Sequence, residues 1–432
     1  MMVTLLMDSM AVTIIFIFLV IFNAFLASKE FKFDWLKIST KKISVYMSIL
    51  VVVIFSVILI QQTDISSDFL VDLTNDYVDI SRLYFNTVVD YLPGSIVILY
   101  ILYPLLSYGE SLLFRLANIF IFILMQYVVY NISTLVIEKN QRRTDFKIGF
   151  LLFFSSSFVI LNVVLVENID LWITLFVLVG IYLILKNHSF LGGMIFGFLA
   201  TVEFTCLLYF LGLMIYFGKR NSIFRSRKFS AGGISVMAII FLVFLTILGT
   251  FGWQYLLGTF VWQFLPSSTS NLNFPGIIIR LLLNFGYFPP FNILFIPVYA
   301  VLVKKAKNLY SGSPNIKQLV DIFLLCTFFD VELSFLKITM ILALISVGVL
   351  HSRSTIKGFY GILNILVFLD TLLIFIQSTL KSNIALSFML DLIVNLFLIM
   401  KAVYINYYFI KVIKLPGTIR TGMILKPVPI LA

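Results

Sequence analysis

Histidine and cysteine are almost missing from this chain of 432 residues, which holds two of each. Cys206 and Cys326 both lie inside apolar runs, so neither a disulfide framework nor a thiolate metal site is indicated. His188 and His351 sit in short polar breaks between such runs, which leaves a His-rich metal centre and His-based acid–base catalysis without residues. Charge is scarce as well. Asp, Glu, Lys and Arg make up 12% of the residues, about half the share of an ordinary soluble domain, and this argues against a water-soluble globular fold. There is no P-loop, no GxGxxG behind a strand and no GxSxG, so ATP hydrolysis, dinucleotide chemistry and a serine-hydrolase elbow find no motif. No internal repeat is visible, which weighs against a transporter built from inverted halves.

What the chain has in abundance is apolar side chain: 61% of its residues are hydrophobic, among them 46 Phe, with 20 Tyr besides. A membrane-crossing helix needs about 20 apolar residues. Runs of that order recur at 11–27, 43–61, 111–136, 148–166, 170–186, 190–217, 230–250, 288–303, 318–330, 337–350, 358–377 and 385–410. The expected fold is all-α, a polytopic transmembrane helix bundle of about 11–13 helices in a single domain over residues 1–432. The first run follows Asp8 rather than basic residues and has no cleavage-like site after it, so it reads as a retained helix. The net charge of +11 comes from Lys and Arg clustered in the breaks, a pattern of cytoplasmic flanks rather than of nucleic-acid binding.

Those clusters orient the chain. Lys29, Lys32, Lys37, Lys41 and Lys42 form one; Lys139, Arg142, Arg143 and Lys147 another; Lys219, Arg220, Arg225, Arg227 and Lys228 a third. With Lys304, Lys305, Lys307, Arg353, Lys357 and a basic tail over 411–432, they mark the cytoplasmic face. Residues 62–108, 167–170, 251–275 and 330–337 then face outward. Residues 93–106 are too short to span and read as an interfacial or re-entrant helix. The run 190–217 has basic flanks and Glu203 at its middle. It is expected to be two half-length helices that meet at Glu203 and return to one face.

Six carboxylates, Asp64, Asp68, Asp72, Asp76, Asp79 and Asp90, face the single cation Arg82 within residues 62–108. A carboxylate at a membrane surface is suited to act as general base, taking the proton of an acceptor hydroxyl as it attacks a sugar carbon; a solvated loop that only enforces topology is the plainer account. The pattern around Asp76, Asp79 and Arg82 also fits an amphipathic helix on the membrane. Asp170, Glu203, Asp330, Glu332 and Lys337 fall at membrane-adjacent positions on the same expected face, where charge is costly and marks function. The alternatives are ion pairing among Asp330, Glu332 and Lys337, and a helix N-cap at Asp170.

The acidic stretch is followed by Tyr100-Ile101-Leu102-Tyr103-Pro104-Leu105-Leu106 and by Leu113-Phe114-Arg115-Leu116-Ala117-Asn118 opening a long helix. Asn168-Ile169-Asp170, a Gly-rich stretch at 192–205 and a polar cluster at 329–337 come next. This layout, over roughly residues 60–350, resembles the GT-C-type polytopic membrane glycosyltransferases, in particular the polyprenyl- or dolichyl-phosphate-mannose-dependent mannosyltransferases. The resemblance implies Asp76 as catalytic base with Asp79 as second choice. It also implies Arg115 and Lys337 at the donor phosphate, with Asp170, Tyr100 and Tyr103 shaping the site. Glu203 stands where the family usually carries lysine, reversing the charge near the expected phosphate, and the late motif lacks the family's common histidine. A divalent cation, Mg or Mn, is needed by some members and not by others. The implied reaction is an inverting transfer of a hexose, mannose first, from a polyprenyl-phosphate donor to a lipid- or protein-linked acceptor. It would take place on the external or lumenal face of the cell membrane, or of the endoplasmic reticulum in a eukaryote.

Two other functions compete. A polysaccharide polymerase or ligase acting on lipid-linked glycans relies on arginines in outer loops, and here there are few beyond Arg82 and Arg280. A secondary transporter or flippase would use Glu203, Asp330 and Lys337 as coupling residues. Residues 251–275, expected outside, interleave Trp253, Gln254, Trp262 and Gln263. Aromatic faces stack on pyranose rings and amides bond hydroxyls, which makes Trp262 a substrate-binding candidate, while Trp253 suits an interfacial aromatic belt.

Overall fold

The computed structural model describes residues 10–27, 39–60, 93–95, 110–136, 143–164, 170–217 and 223–264, with residues 319, 322, 323, 343 and 407. Among the described residues there is helix and no strand. The longer elements are α1 (Met10–Ala27), α2 (Thr40–Ile60), α3 (Glu110–Val136), α4 (Arg143–Phe154), α5 (Ser157–Val164), α6 (Asp170–Leu185), α7 (Ser189–Val202), α8 (Phe204–Phe217) and α9 (Ile223–Phe264). The expected helices at 11–27, 43–61, 111–136 and 170–186 coincide with α1, α2, α3 and α6 to within a few residues. Those expected beyond residue 264 fall outside the described residues, apart from the isolated positions named above.

Among the described residues two helices are long and apolar enough to cross a membrane: Phe114–Leu135 within α3 and Arg225–Thr246 within α9, 22 residues each. That length rises about 33 Å, against a hydrocarbon core of about 30 Å. Phe120 and Ile123 on the first, and Ile234, Ile239 and Leu242 on the second, are exposed.

The run 190–217 is broken where its flanking charges led us to expect. Glu203 alone separates α7 from α8, in extended backbone at φ −148° and ψ 142°. Its N–H closes α7 on the Leu199 carbonyl at 3.0 Å, and its own carbonyl opens α8 by accepting from Cys206 N–H at 3.1 Å and Leu207 N–H at 3.2 Å. One residue thereby caps both helices and leaves no orphaned donor of its own. The halves fold back on each other. The Phe229 ring lies 6.2 Å from Phe196 on α7 and 5.3 Å from Phe217 at the end of α8. Phe323 bridges the same limbs, 5.4 Å from Phe196 and 4.8 Å from Tyr209.

The turn into this hairpin is a Schellman closure with asparagine in the usual glycine position. Asn187 has φ 66°, His188 N–H reaches the Leu183 carbonyl at 2.9 Å, and Asn187 N–H reaches that of Ile184 at 3.0 Å. Lys186 sits 5.0 Å over the Tyr182 ring, a cation at the negative end of α6. From there α7 runs antiparallel to α6, with Gly180 against the Phe196 ring and Phe176 5.8 Å from Phe198. It runs parallel to α9, with Gly193 against Phe229 and Gly197 against Gly233. At these two positions the backbones touch: a Cβ on Gly193 would overlap the Phe229 carbonyl, and one on Gly197 the Gly233 carbonyl. Small residues permit such an approach between helices.

Two expectations need correction. The run 148–166 is not one helix but α4 and α5, separated at Ser155 and Ser156. Ser156 N–H turns to the Phe153 carbonyl at 3.2 Å, so the regular i→i−4 bond to Leu152 is not made. Asn23 of α1, fully buried, supplies the replacement. Its Nδ2 donates to the Leu152 carbonyl at 3.1 Å and to Ser155 Oγ at 2.9 Å, while Ser155 Oγ donates back to Leu151 at 2.5 Å. Residues 251–264, expected as part of an outer loop, are the continuation of α9, which runs unbroken for 42 residues.

Two stability measurements follow. Gly197→Val is expected to destabilise the protein by about 3 kcal/mol, because the overlap is with backbone rather than with a yielding side chain. The control Leu191→Ala, at an exposed α7 position, should stay within about 0.5 kcal/mol; equal thermal midpoints for the two variants in detergent would refute the crossing. Asn23→Leu should cost about 1–3 kcal/mol, since it strands the buried Leu152 carbonyl, and a midpoint unchanged from wild type would remove Asn23 as the cap of the α4–α5 break.

Candidate functional site at the hairpin tip

Antiparallel pairing of α6 with α7 places the start of α6 level with the end of α7. Each step from Gly180 and Phe176 back towards Asp170 is matched by a step from Phe196 and Phe198 on towards Glu203. Asp170, the first residue of α6, therefore stands at the same end of the bundle as the hairpin tip. The start of α3 is tied to that end by a side-chain bond: Trp172 Nε1 donates to Asn118 Oδ1 at 3.1 Å. Arg115 lies three residues before Asn118, one turn further along the same face of α3, and is 4% exposed.

A fourth piece of chain arrives at the same place. Ser95 Oγ donates to the Val202 carbonyl at 2.6 Å, and Gly94 packs so closely on Thr201 that a Cβ there would overlap its side chain. Ser95 and Thr201 are both fully buried. Residues 93–95 are thus seated on the last turn of α7, directly before Glu203. The acidic stretch ends at this seat, and the Tyr-Pro motif begins a few residues beyond it.

Charge is segregated along this axis. Lys186 and His188 occupy the turn between α6 and α7, and Arg225, Arg227 and Lys228 precede Phe229, which packs at the start of α7. Lys186, Arg225, Arg227 and Lys228 thus gather at the end opposite Glu203 and Asp170. Arg115 departs from the pattern, a buried cation at the acidic end.

Of the residues singled out from sequence, Arg115, Asp170 and Glu203 are brought to one end. Trp262 is not: α9 is level with Glu203 some ten residues beyond Phe229, and Trp262 comes about two dozen residues later, roughly 35 Å of further helix. Positions 253 and 262 also fall on opposite sides of α9, two and a half turns apart. Asp76, Asp79, Tyr100, Tyr103 and Lys337 lie outside the described residues.

Sequence reasoning missed Asn118 as a partner, Trp172, Ser95 and Thr201. Trp172 stands two residues after Asp170, so proximity to that candidate was the available signal; the 54-residue separation between Trp172 and Asn118 hid the bond between them. Among the described residues no group of three or more His, Cys, Asp or Glu is placed to hold a metal ion. Comparison of the chain with protein-family models, with curated proteins and with solved structures gave no match.

Proposed function

We propose that the protein is a multi-pass membrane glycosyltransferase that moves a hexose from a polyprenyl-phosphate carrier to a lipid- or protein-linked acceptor on the non-cytoplasmic face. The observation that carries this reading is the meeting of Arg115, Asp170 and Glu203 at the end of the bundle where residues 93–95 dock. A lipid-phosphate donor asks for a buried cation near a membrane face, and Arg115 offers a guanidinium able to bind two phosphate oxygens at once. The N-termini of α6 and α8 point the positive ends of their peptide dipoles the same way.

Depth supports the same reading. Taking Phe114–Leu135 and Arg225–Thr246 as spans, the level shared by Trp172 and Glu203 lies one to two turns inside their outer ends. The half-helices of 14 residues rise about 21 Å each, so the hairpin enters the bilayer from the basic side and carries Glu203 most of the way through. Such broken helices are tolerated within a membrane where they line a cavity. The distribution of Lys and Arg favours a cytoplasmic position for the basic end.

In this mechanism a carboxylate of the acidic stretch, Asp76 first and Asp79 second, removes the acceptor proton as its oxygen attacks the anomeric carbon. The polyprenyl phosphate leaves with its charge held by Arg115, and Lys337 is assigned the same role. Asp170, Tyr100 and Tyr103 would position the sugar and the acceptor, and Glu203 would orient hydroxyls rather than bind phosphate.

In membranes containing the wild-type chain, label from polyprenyl-phosphate mannose is expected to reach a lipid or glycan acceptor. Asp76→Ala should reduce transfer by about 100-fold or more at unchanged protein level. Full transfer by that variant would remove Asp76 as base, and no transfer by the wild type from either mannosyl or glucosyl lipid donors would sink the reading.

A further inference from the structure

We propose that Trp172 is the face on which the donor's sugar ring rests, a binding residue beyond those named above; this rests on the glycosyltransferase reading. Around Trp172 on α6, Leu171, Ile173, Thr174 and Leu175 are buried. Trp172 is only partly buried. Its indole is fixed in orientation by the 3.1 Å bond to Asn118 Oδ1, and Asn118 is itself fully buried on α3.

Two observations separate this tryptophan from an interfacial anchor. An anchor directs its N–H to water and headgroups, whereas this N–H is spent on a buried side chain. An anchor also stands at the membrane surface, whereas Trp172 is level with Glu203, one to two turns inside the ends of the two apolar spans. Packed on the core over part of its surface and exposed over the rest, the ring is a rigid, polarisable platform at the level of Glu203. A pyranose offers a patch of C–H groups that suits such a surface, with hydroxyls around its rim that suit a carboxylate such as Glu203. A bare polyprenyl phosphate offers no such patch. The platform therefore discriminates a loaded carrier from a spent one, which favours release of the lipid phosphate once the sugar has moved.

The test is equilibrium binding to the purified full chain in detergent, with three short-chain probes: polyprenyl-phosphate mannose, polyprenyl-phosphate glucose and unglycosylated polyprenyl phosphate. The wild type is expected to prefer at least one sugar-bearing lipid over the bare phosphate. Trp172→Leu should weaken that lipid by about 5-fold and leave the bare phosphate unchanged, erasing the preference. Trp172→Phe, which keeps an aromatic face and loses the bond to Asn118, should retain most of it. A preference surviving in Trp172→Leu would overturn the platform and leave the glycosyltransferase reading standing. Equal weakening of all three lipids would show a packing role only and likewise overturn it. If the wild type bound the bare and loaded lipids alike, or none of them, the proposal would fall, and in the last case the parent reading with it.

Discussion

The backbone contact between α7 and α9 at Gly193 and Gly197 is the constraint from which the described architecture follows. It sets α9 parallel to α7 with no side chain between them, and this brings Phe229 into reach of Phe196, Phe210 and Phe217 at ring distances of 6.2, 5.4 and 5.3 Å. Those rings belong to both limbs of the hairpin. A helix pair held further apart would leave Phe229 short of α8, and α8 would lose the surface against which it folds back. Close approach of this kind maximises van der Waals contact between the two helices. The position of Glu203 is therefore a consequence of glycines some 9 to 15 Å of helix away from it.

How much of this was legible in the sequence depends on how local each cause is. The break at Glu203 was legible because its cause is a counting argument. Residues 190–217 are too many for one span and too few for two, and cations flank both ends. The break at Ser155 and Ser156 was not. It rests on Asn23, 129 positions before Leu152, and within the run itself two serines among phenylalanines are compatible with an unbroken helix. The extent of α9 was misread for the opposite reason. Trp253, Gln254, Trp262 and Gln263 have the composition of an outer loop, but none of them breaks a helix, and glycine at 249, 252 and 258 costs only about 1 kcal/mol each in helix propensity. The gathering of Arg115, Asp170 and Glu203 was partly legible, since charge bias alone assigned the last two to one face. The bond from Trp172 to Asn118 that ties α3 to the same end needed three dimensions.

Buried polar side chains in this molecule act mainly on backbone or on one another across helices. Asn23 caps α4, Ser95 binds the end of α7, Ser44 of α2 donates to Gln126 of α3, and Trp172 binds Asn118. In an apolar surrounding each such bond has no competing water, and leaving its donor or acceptor unmade costs more than the bond contributes. This is why the polar residues specify registers between helices that apolar packing alone would leave free to slide. Each of the first, second and third helices is keyed to another by at least one of them.

The same economy bears on the tip. A charged side chain inside an apolar bundle is costly, yet Glu203 arrives there on a residue whose backbone already has work as the C-cap of α7 and the N-cap of α8. Asp170 likewise opens α6. A carboxylate at a helix N-terminus is favoured by the peptide dipole, which suits Asp170, whereas Glu203 stands between the negative end of α7 and the positive end of α8, where the two dipoles oppose each other. Arg115 stands within the second turn of α3, where the dipole disfavours a cation, and its burial adds a desolvation penalty. Helix electrostatics therefore favour Asp170, leave Glu203 between opposing dipoles, and do not account for the guanidinium, which is held by interactions of its own within the fold.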